Sequence, residues 1–160
     1  RQARICDGLC RSCDAVVDEG VHVAGLLRRH VLLDVEGPRC FYCERTLSRQ
    51  TTQVDHVIPW SHYPLNDLAN LVLTDNTCNG DKSARLVSAE RLAKWIDRNQ
   101  TGLADAAEEI VWSHDPTRTL RIADSAYRWH PRGVPVWRGR GDLITFDELE
   151  QERALTLLSA

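Results

Sequence analysis

Residues 53–60 read Gln-Val-Asp-His-Val-Ile-Pro-Trp, QVDHVIPW. Asp55 and His56 stand side by side in an apolar, β-branched run with the composition of a half-buried strand. Two adjacent ionisable groups are costly there, so the pair either forms a salt link at a strand end or performs chemistry. Asp55 is a hard oxygen donor of the kind that holds Mg²⁺ or Mn²⁺. His56 is a competent general base near neutral pH. Hydrolysis of a phosphodiester uses both: charge must be neutralised on the phosphate and the leaving oxygen, and water must lose a proton. Strand neighbours point to opposite faces. Pro59 and the loop behind it are expected to turn the chain so that both side chains face one centre.

Two asparagines extend the pattern. Asn70 begins a second strand candidate, and Asn79 falls inside the helix expected after it. The amide oxygen of Asn79 is a further hard ligand, and Lys82 lies one turn along the same helix face, suited to a phosphate. Upstream, Cys40 and Cys43 have the C-x2-C spacing of structural zinc sites. Cys78 follows, with Asp75 one helical turn before it. A carboxylate can ligate zinc, but Asp75 is equally well placed as the helix N-cap.

Taken in order, Cys40-x2-Cys43, DHVIPW, NLVL and CNGDKS resemble the HNH endonucleases, the ββα-metal nucleases, whose pattern runs CxxC, DHxxP, NLxxL, CxxCNxxK. The likeness spans residues 39–85. It implies that Asp55 is the first metal ligand and His56 the general base. Asn70 would brace the loop and orient the catalytic histidine, and Asn79 would be the second metal ligand, an HNN variant. One-metal cleavage of DNA leaving a 5′-phosphate is expected. The family answers its first CxxC with a second. Here Asp75 stands where one of those cysteines would be, so a zinc site of Cys40, Cys43, Asp75 and Cys78 would pin the hairpin to the catalytic helix. The alternative is a zinc-stabilised nucleic-acid- or protein-binding module of the same fold without turnover.

The 160 residues suit one domain. The expected class is α+β: a ββα-metal core over 38–86, a helical N-terminal flank over 1–37, and a helical extension with a short hairpin over 87–160. No apolar run approaches membrane-spanning length and no signal-peptide pattern is present, so a soluble cytoplasmic protein without membrane contact is expected. The chain begins at Arg1 and lacks methionine, which suggests a piece of a longer polypeptide whose other domains would be partners.

Eighteen arginines and two lysines against 23 acids give a net charge of −3, so basic groups for DNA must be gathered locally. Residues 128–141, RWHPRGVPVWRGRG, hold Arg128, Arg132, Arg138 and Arg140 with Trp129 and Trp137 and no acid. With Lys82 they are the candidate phosphate contacts; the competing reading is a solvated hairpin with one Trp in the core. The six cysteines read as thiols or metal ligands rather than disulfides. Cys6, Cys10 and Cys13 share one helix face and are expected core thiols. His62, in the loop after the motif, is expected at the surface.

Helical periodicity covers the first 36 residues, and Gly37-Pro38 stops it. A Cys-rich hairpin over 39–47, strands over 53–58 and 70–73, and a helix from Thr74 or Asp75 to about residue 85 follow. Helices over 88–99, 103–113 and 116–129, a hairpin and a short closing helix complete the reading.

Overall fold

The computed structural model describes residues 29–48, 50–100, 103–109 and 112–159. The helices expected over 1–28, with Cys6, Cys10 and Cys13, lie outside them. Helix α1 covers 29–36 and buries Val31 and Leu32. It stops as its sequence requires: Gly37 takes φ +71°, its N–H donates to the Leu33 carbonyl at 3.0 Å, and Pro38 follows.

Strands β1 (Thr52–His56) and β2 (Leu71–Asp75) pair antiparallel, with Val54 opposite Leu73 and His56 opposite Leu71. Between them runs a loop that closes in a 3-10 turn, Leu68–Asn70. Every residue of β2 is buried, which its near-continuous apolar run anticipates. Helix α2 (Asn76–Lys82) follows directly, capped by Asp75. It is shorter than expected because Ser83 takes φ +52°, with its N–H bonded to the Asn79 carbonyl, so the chain leaves the helix there.

The Cys-rich segment is a tight loop. Cys40 N–H bonds Arg45 O at 2.9 Å, Glu44 N–H bonds Cys40 O at 2.8 Å, and Arg39 bridges Thr46. Phe41 N–H then donates to Leu73 O at 2.8 Å, which docks the loop on β2. Hairpin, strand, loop, strand and helix thus occur in the expected order.

The extension adds α3 (Ala89–Asn99), α4 (Leu103–Glu109), α5 (Pro116–Arg128), β3 (Pro135–Gly139), β4 (Asp142–Thr145) and α6 (Glu148–Leu158). Ser88, Asp115 and Asp147 cap α3, α5 and α6, and Pro116 occupies the first turn of α5. The extension is not a separate layer. Trp137 N–H donates to Leu86 O and Ser88 N–H to Trp137 O, both at 2.8 Å, so β3 is stitched to the chain leaving α2. Trp137 is 0 % exposed and meets the Tyr42 ring edge-on at 4.9 Å. Trp95 is also fully buried, with its indole donating to Ala69 O at 2.9 Å.

One buried ion pair ties α1 to α3. Arg98 bonds Glu36 and donates to Leu71 O at 2.7 Å, with both side chains largely enclosed. Burial lifts the Glu36 carboxyl above its ordinary range, with Arg98 opposing. Glu36→Ala would leave a desolvated guanidinium without its carboxylate, so a loss of about 3 kcal/mol is expected. Urea unfolding checks this as a lower midpoint at unchanged slope.

Candidate active site and metal centre

Asp55 points into the core and is 8 % exposed. The Tyr42 hydroxyl donates to its Oδ2 at 2.6 Å, and Lys82 Nζ lies 3.1 Å from the same oxygen. Both contacts fall on Oδ2, which leaves Oδ1 as the oxygen open to a further partner. Lys82 is 0 % exposed and also donates to the His56 carbonyl at 2.8 Å. The lysine expected to reach a phosphate is therefore turned inward. Its ammonium sits where α2 packs on β1, and a buried ammonium is tolerable only when paired. Burial first, and then the charge of Asp55, hold the Tyr42 phenol well above its ordinary range, so it remains a donor.

His56, the last residue of β1, takes different partners. Its Nε2 lies 3.0 Å from Asn66 Oδ1, and its ring meets Trp60 edge-on at 5.3 Å. Asn66 Oδ1 is an acceptor, so this contact is made with the tautomer that carries its proton on Nε2. Asp55 and His56 thus have separate sets of orienting side-chain partners. The strand ends at His56, and the chain leaves it for the loop three residues before Pro59.

Asn70 is fully buried and clamps the chain just past the histidine. Its Oδ1 accepts from Ile58 N–H at 2.8 Å, and its Nδ2 donates to Ile58 O at 2.9 Å. Val57 N–H bonds Asn70 O at 3.0 Å. Backbone and side chain together continue the ladder for two residues beyond β1. The loop bearing Asn66 is held from the extension: Trp112 Nε1 donates to Asn66 O at 2.7 Å, and Arg118 Nη2 lies 2.9 Å from Asp67 Oδ2.

Asn79 donates through Nδ2 to Gln53 Oε1 at 2.7 Å, which turns its own amide oxygen away from that contact. Gln53 and Asp55 are two apart and share a strand face. Helix α2 therefore lies along β1 with Asn79 beside Gln53 and Lys82 beside Asp55.

Behind this face, Cys40, Cys43, Asp75 and Cys78 each offer a ligand atom within 4.8 Å of the others. Three thiols and a carboxylate oxygen are a donor set that fits a tetrahedral structural metal. The two readings of Asp75 prove compatible. Its Oδ1 caps α2 by accepting from Thr77 N–H at 2.8 Å and Cys78 N–H at 2.9 Å, while its Oδ2 accepts from Cys43 Sγ at 3.1 Å. Burial would raise the Asp75 carboxyl, but the Cys78 amide and the surrounding thiols outweigh it and hold the group well below the carboxylate range. Burial, then Asp75, push the Cys78 thiol up. For Cys40, burial is outweighed by hydrogen bonds from the backbone of Cys43 and Asp75, and its thiol is lowered.

The arginine-rich segment is not the uncompensated patch that residues 128–141 suggest. Arg128 pairs with Asp124 at 2.9 Å, Arg132 with Glu148 at 3.3 Å, and Arg138 with Asp142 at 2.7 Å. The acids lie just outside the window on α5, α6 and β4. Trp137 is core, with its indole donating to Asp81 at 2.8 Å, whereas Trp129 is 79 % exposed. His62 is exposed, as expected.

The sequence pattern assigns no site role to Tyr42, Gln53 or Asn66. Tyr42 lies between two candidate metal ligands and Gln53 two residues before Asp55, so spacing could have raised both. Asn66 reads as a turn residue and carries no signal of its own.

Residues 40–88 match the family model described as HNH endonuclease. Among solved structures, the Type II-C Cas9 enzyme from Actinomyces naeslundii is similar at 25% identity and a TM-score of 0.42, over 53% of this chain and 12% of that one. This chain thus covers only a small part of that protein. No curated protein matches it. Among the described residues, no helix is long and apolar enough to cross a membrane.

Proposed function

We propose that this chain, whose residues 40–88 form an HNH endonuclease segment within an α+β fold, is a metal-dependent endonuclease that hydrolyses phosphodiester bonds in DNA. The observation that carries the reading is His56 at the end of β1. Its imidazole is held through Nε2 by Asn66, and the backbone behind it is locked by Asn70. A base so oriented is fixed in place for proton transfer from a water. His56 would take that water's proton, and Asn66 would steady the imidazolium that forms.

Asp55 and Asn79 fit a hard divalent cation, because each keeps one oxygen clear of the contacts that orient it, those to Tyr42 and Lys82 and that to Gln53. Mg²⁺ or Mn²⁺ bound there would supply charge neutralisation on the scissile phosphate and the departing oxygen. A phosphodiester lying across the end of β1 would meet the imidazole on one side and these oxygens on the other. Cys40, Cys43, Asp75 and Cys78 would hold a structural Zn²⁺. Lys82 acts in this reading by holding Asp55 and the His56 backbone rather than by touching DNA. Of the arginines, Arg140 is in none of the ion pairs that engage Arg128, Arg132 and Arg138, and it is the strongest candidate for phosphate contact.

The test is cleavage of plasmid by the purified chain in Mg²⁺, in Mn²⁺ and in EDTA, with analysis of the product ends. Metal-dependent nicking that leaves 5′-phosphates is expected. No cleavage in either metal, with DNA binding intact, would favour a binding module instead. Asn66→Ala should lower the cleavage rate by roughly tenfold, as outer contacts to functional histidines do, and shift the pH–rate profile. An unchanged rate and profile would remove Asn66 from the site.

A further inference from the structure

Tyr42 lies in the loop between Cys40 and Cys43, yet its hydroxyl leaves the metal cluster and donates to Asp55 Oδ2 at 2.6 Å. The phenol is 2 % exposed and wedged between Phe41, at 5.1 Å between ring centres, and Trp137, at 4.9 Å, both edge-on. A ring held on both sides presents its oxygen in one place. Phe41 N–H anchors the same loop to β2.

We infer that Tyr42 is a positioning residue: it fixes the Asp55 carboxylate so that Oδ1 faces the catalytic cation, and it ties that site to the Cys40–Cys43 loop. This rests on the proposed role of Asp55 as a metal ligand. The geometry gives the reason two donors are needed. With the phenol and Lys82 both on Oδ2, the carboxylate cannot rotate. Without the phenol, the fully buried ammonium of Lys82 would be free to take either oxygen, and the ligand oxygen would lose its fixed direction. Trp137 comes from the extension beyond residue 88, so the segment outside the family match reaches Asp55 through this ring.

The experiment titrates Mn²⁺ into the purified chain without DNA, read by the paramagnetic resonance of free Mn²⁺, beside zinc content and the Mn²⁺ dependence of plasmid nicking. Tyr42→Phe keeps the ring and removes the donor. It should weaken Mn²⁺ binding about tenfold and raise the Mn²⁺ needed for half-maximal nicking by the same factor, with zinc retained. Replacement of Tyr42 by 4-aminophenylalanine, which keeps a donor at the same place, should restore wild-type affinity. Unchanged Mn²⁺ affinity in Tyr42→Phe, while the wild type nicks DNA, overturns the inference and leaves the nuclease reading standing. Equal weakening in both variants also overturns it, since the ring alone would then matter. Should Tyr42→Phe lose its zinc, the 4-aminophenylalanine variant decides, and a tenfold loss there counts against the inference. If the wild type binds Mn²⁺ but cuts nothing, the nuclease reading fails and the affinities still decide the role of Tyr42.

Discussion

If the proposed zinc site is right, Cys78→Ser is expected to abolish zinc binding and to cost the protein about 5 kcal/mol or more, comparable to the whole stability of a marginal domain. The four candidate ligands come from separate pieces of chain: Cys40 and Cys43 from the loop before β1, Asp75 from the end of β2, and Cys78 from α2. Besides the metal, those pieces are joined by Cys43 to Asp75, by Arg45 to Asp75, by Cys40 to Thr74, by the Asp75 cap and by the Phe41–Leu73 backbone bond. Such contacts are worth roughly 1 kcal/mol each, whereas structural zinc supplies about 10–16 kcal/mol in small modules. A shared core containing Trp95 and Trp137 keeps the loss below that ceiling. Thermal unfolding beside elemental analysis checks the expectation. Wild-type protein should carry one zinc and lose its cooperative transition when stripped by a strong chelator. A zinc content near zero with an unmoved transition would remove the structural metal from the account.

His56→Ala is expected to slow cleavage by about 10²–10⁴-fold, the range that general-base catalysis supplies. The fold should survive. The side chain is half-buried, its partner Trp60 is 41 % exposed, and the strand end is held by Asn70 through backbone atoms of Val57 and Ile58. Lys82 bonds the His56 carbonyl, which the substitution retains. Mn²⁺ affinity should be unchanged, because the proposed ligands are Asp55 and Asn79. A loss of metal binding together with activity would instead make His56 a ligand.

Much of the core was legible because its signals are local. Gly37-Pro38, the helix opening at Ser88 and the C-x2-C spacing of Cys40 and Cys43 each act within a few residues, and the stop, the cap and half of the cluster follow from them. What went unread depends on packing between distant segments. The helix face of Lys82 could be assigned, but not that β1 would cover it and turn the ammonium onto Asp55. Residues 128–141 contain no acid, yet Asp124, Asp142 and Glu148 return to three of their arginines through one helical turn, a hairpin and a helix start. Asn66, the partner of His56, lies on a loop that Trp112, 46 residues later, and Arg118 hold in place. Asp75 looked like a choice between cap and ligand, and a carboxylate has an oxygen for each.

The most direct test of the central claim is the rate of supercoiled plasmid nicking in Mn²⁺ by the wild-type chain and by His56→Ala, both folded and zinc-loaded. The account predicts nicking by the wild type that EDTA abolishes, and a rate at least about 100-fold lower for the variant. Equal rates in the two proteins, or none from a wild type that still binds DNA, would contradict it.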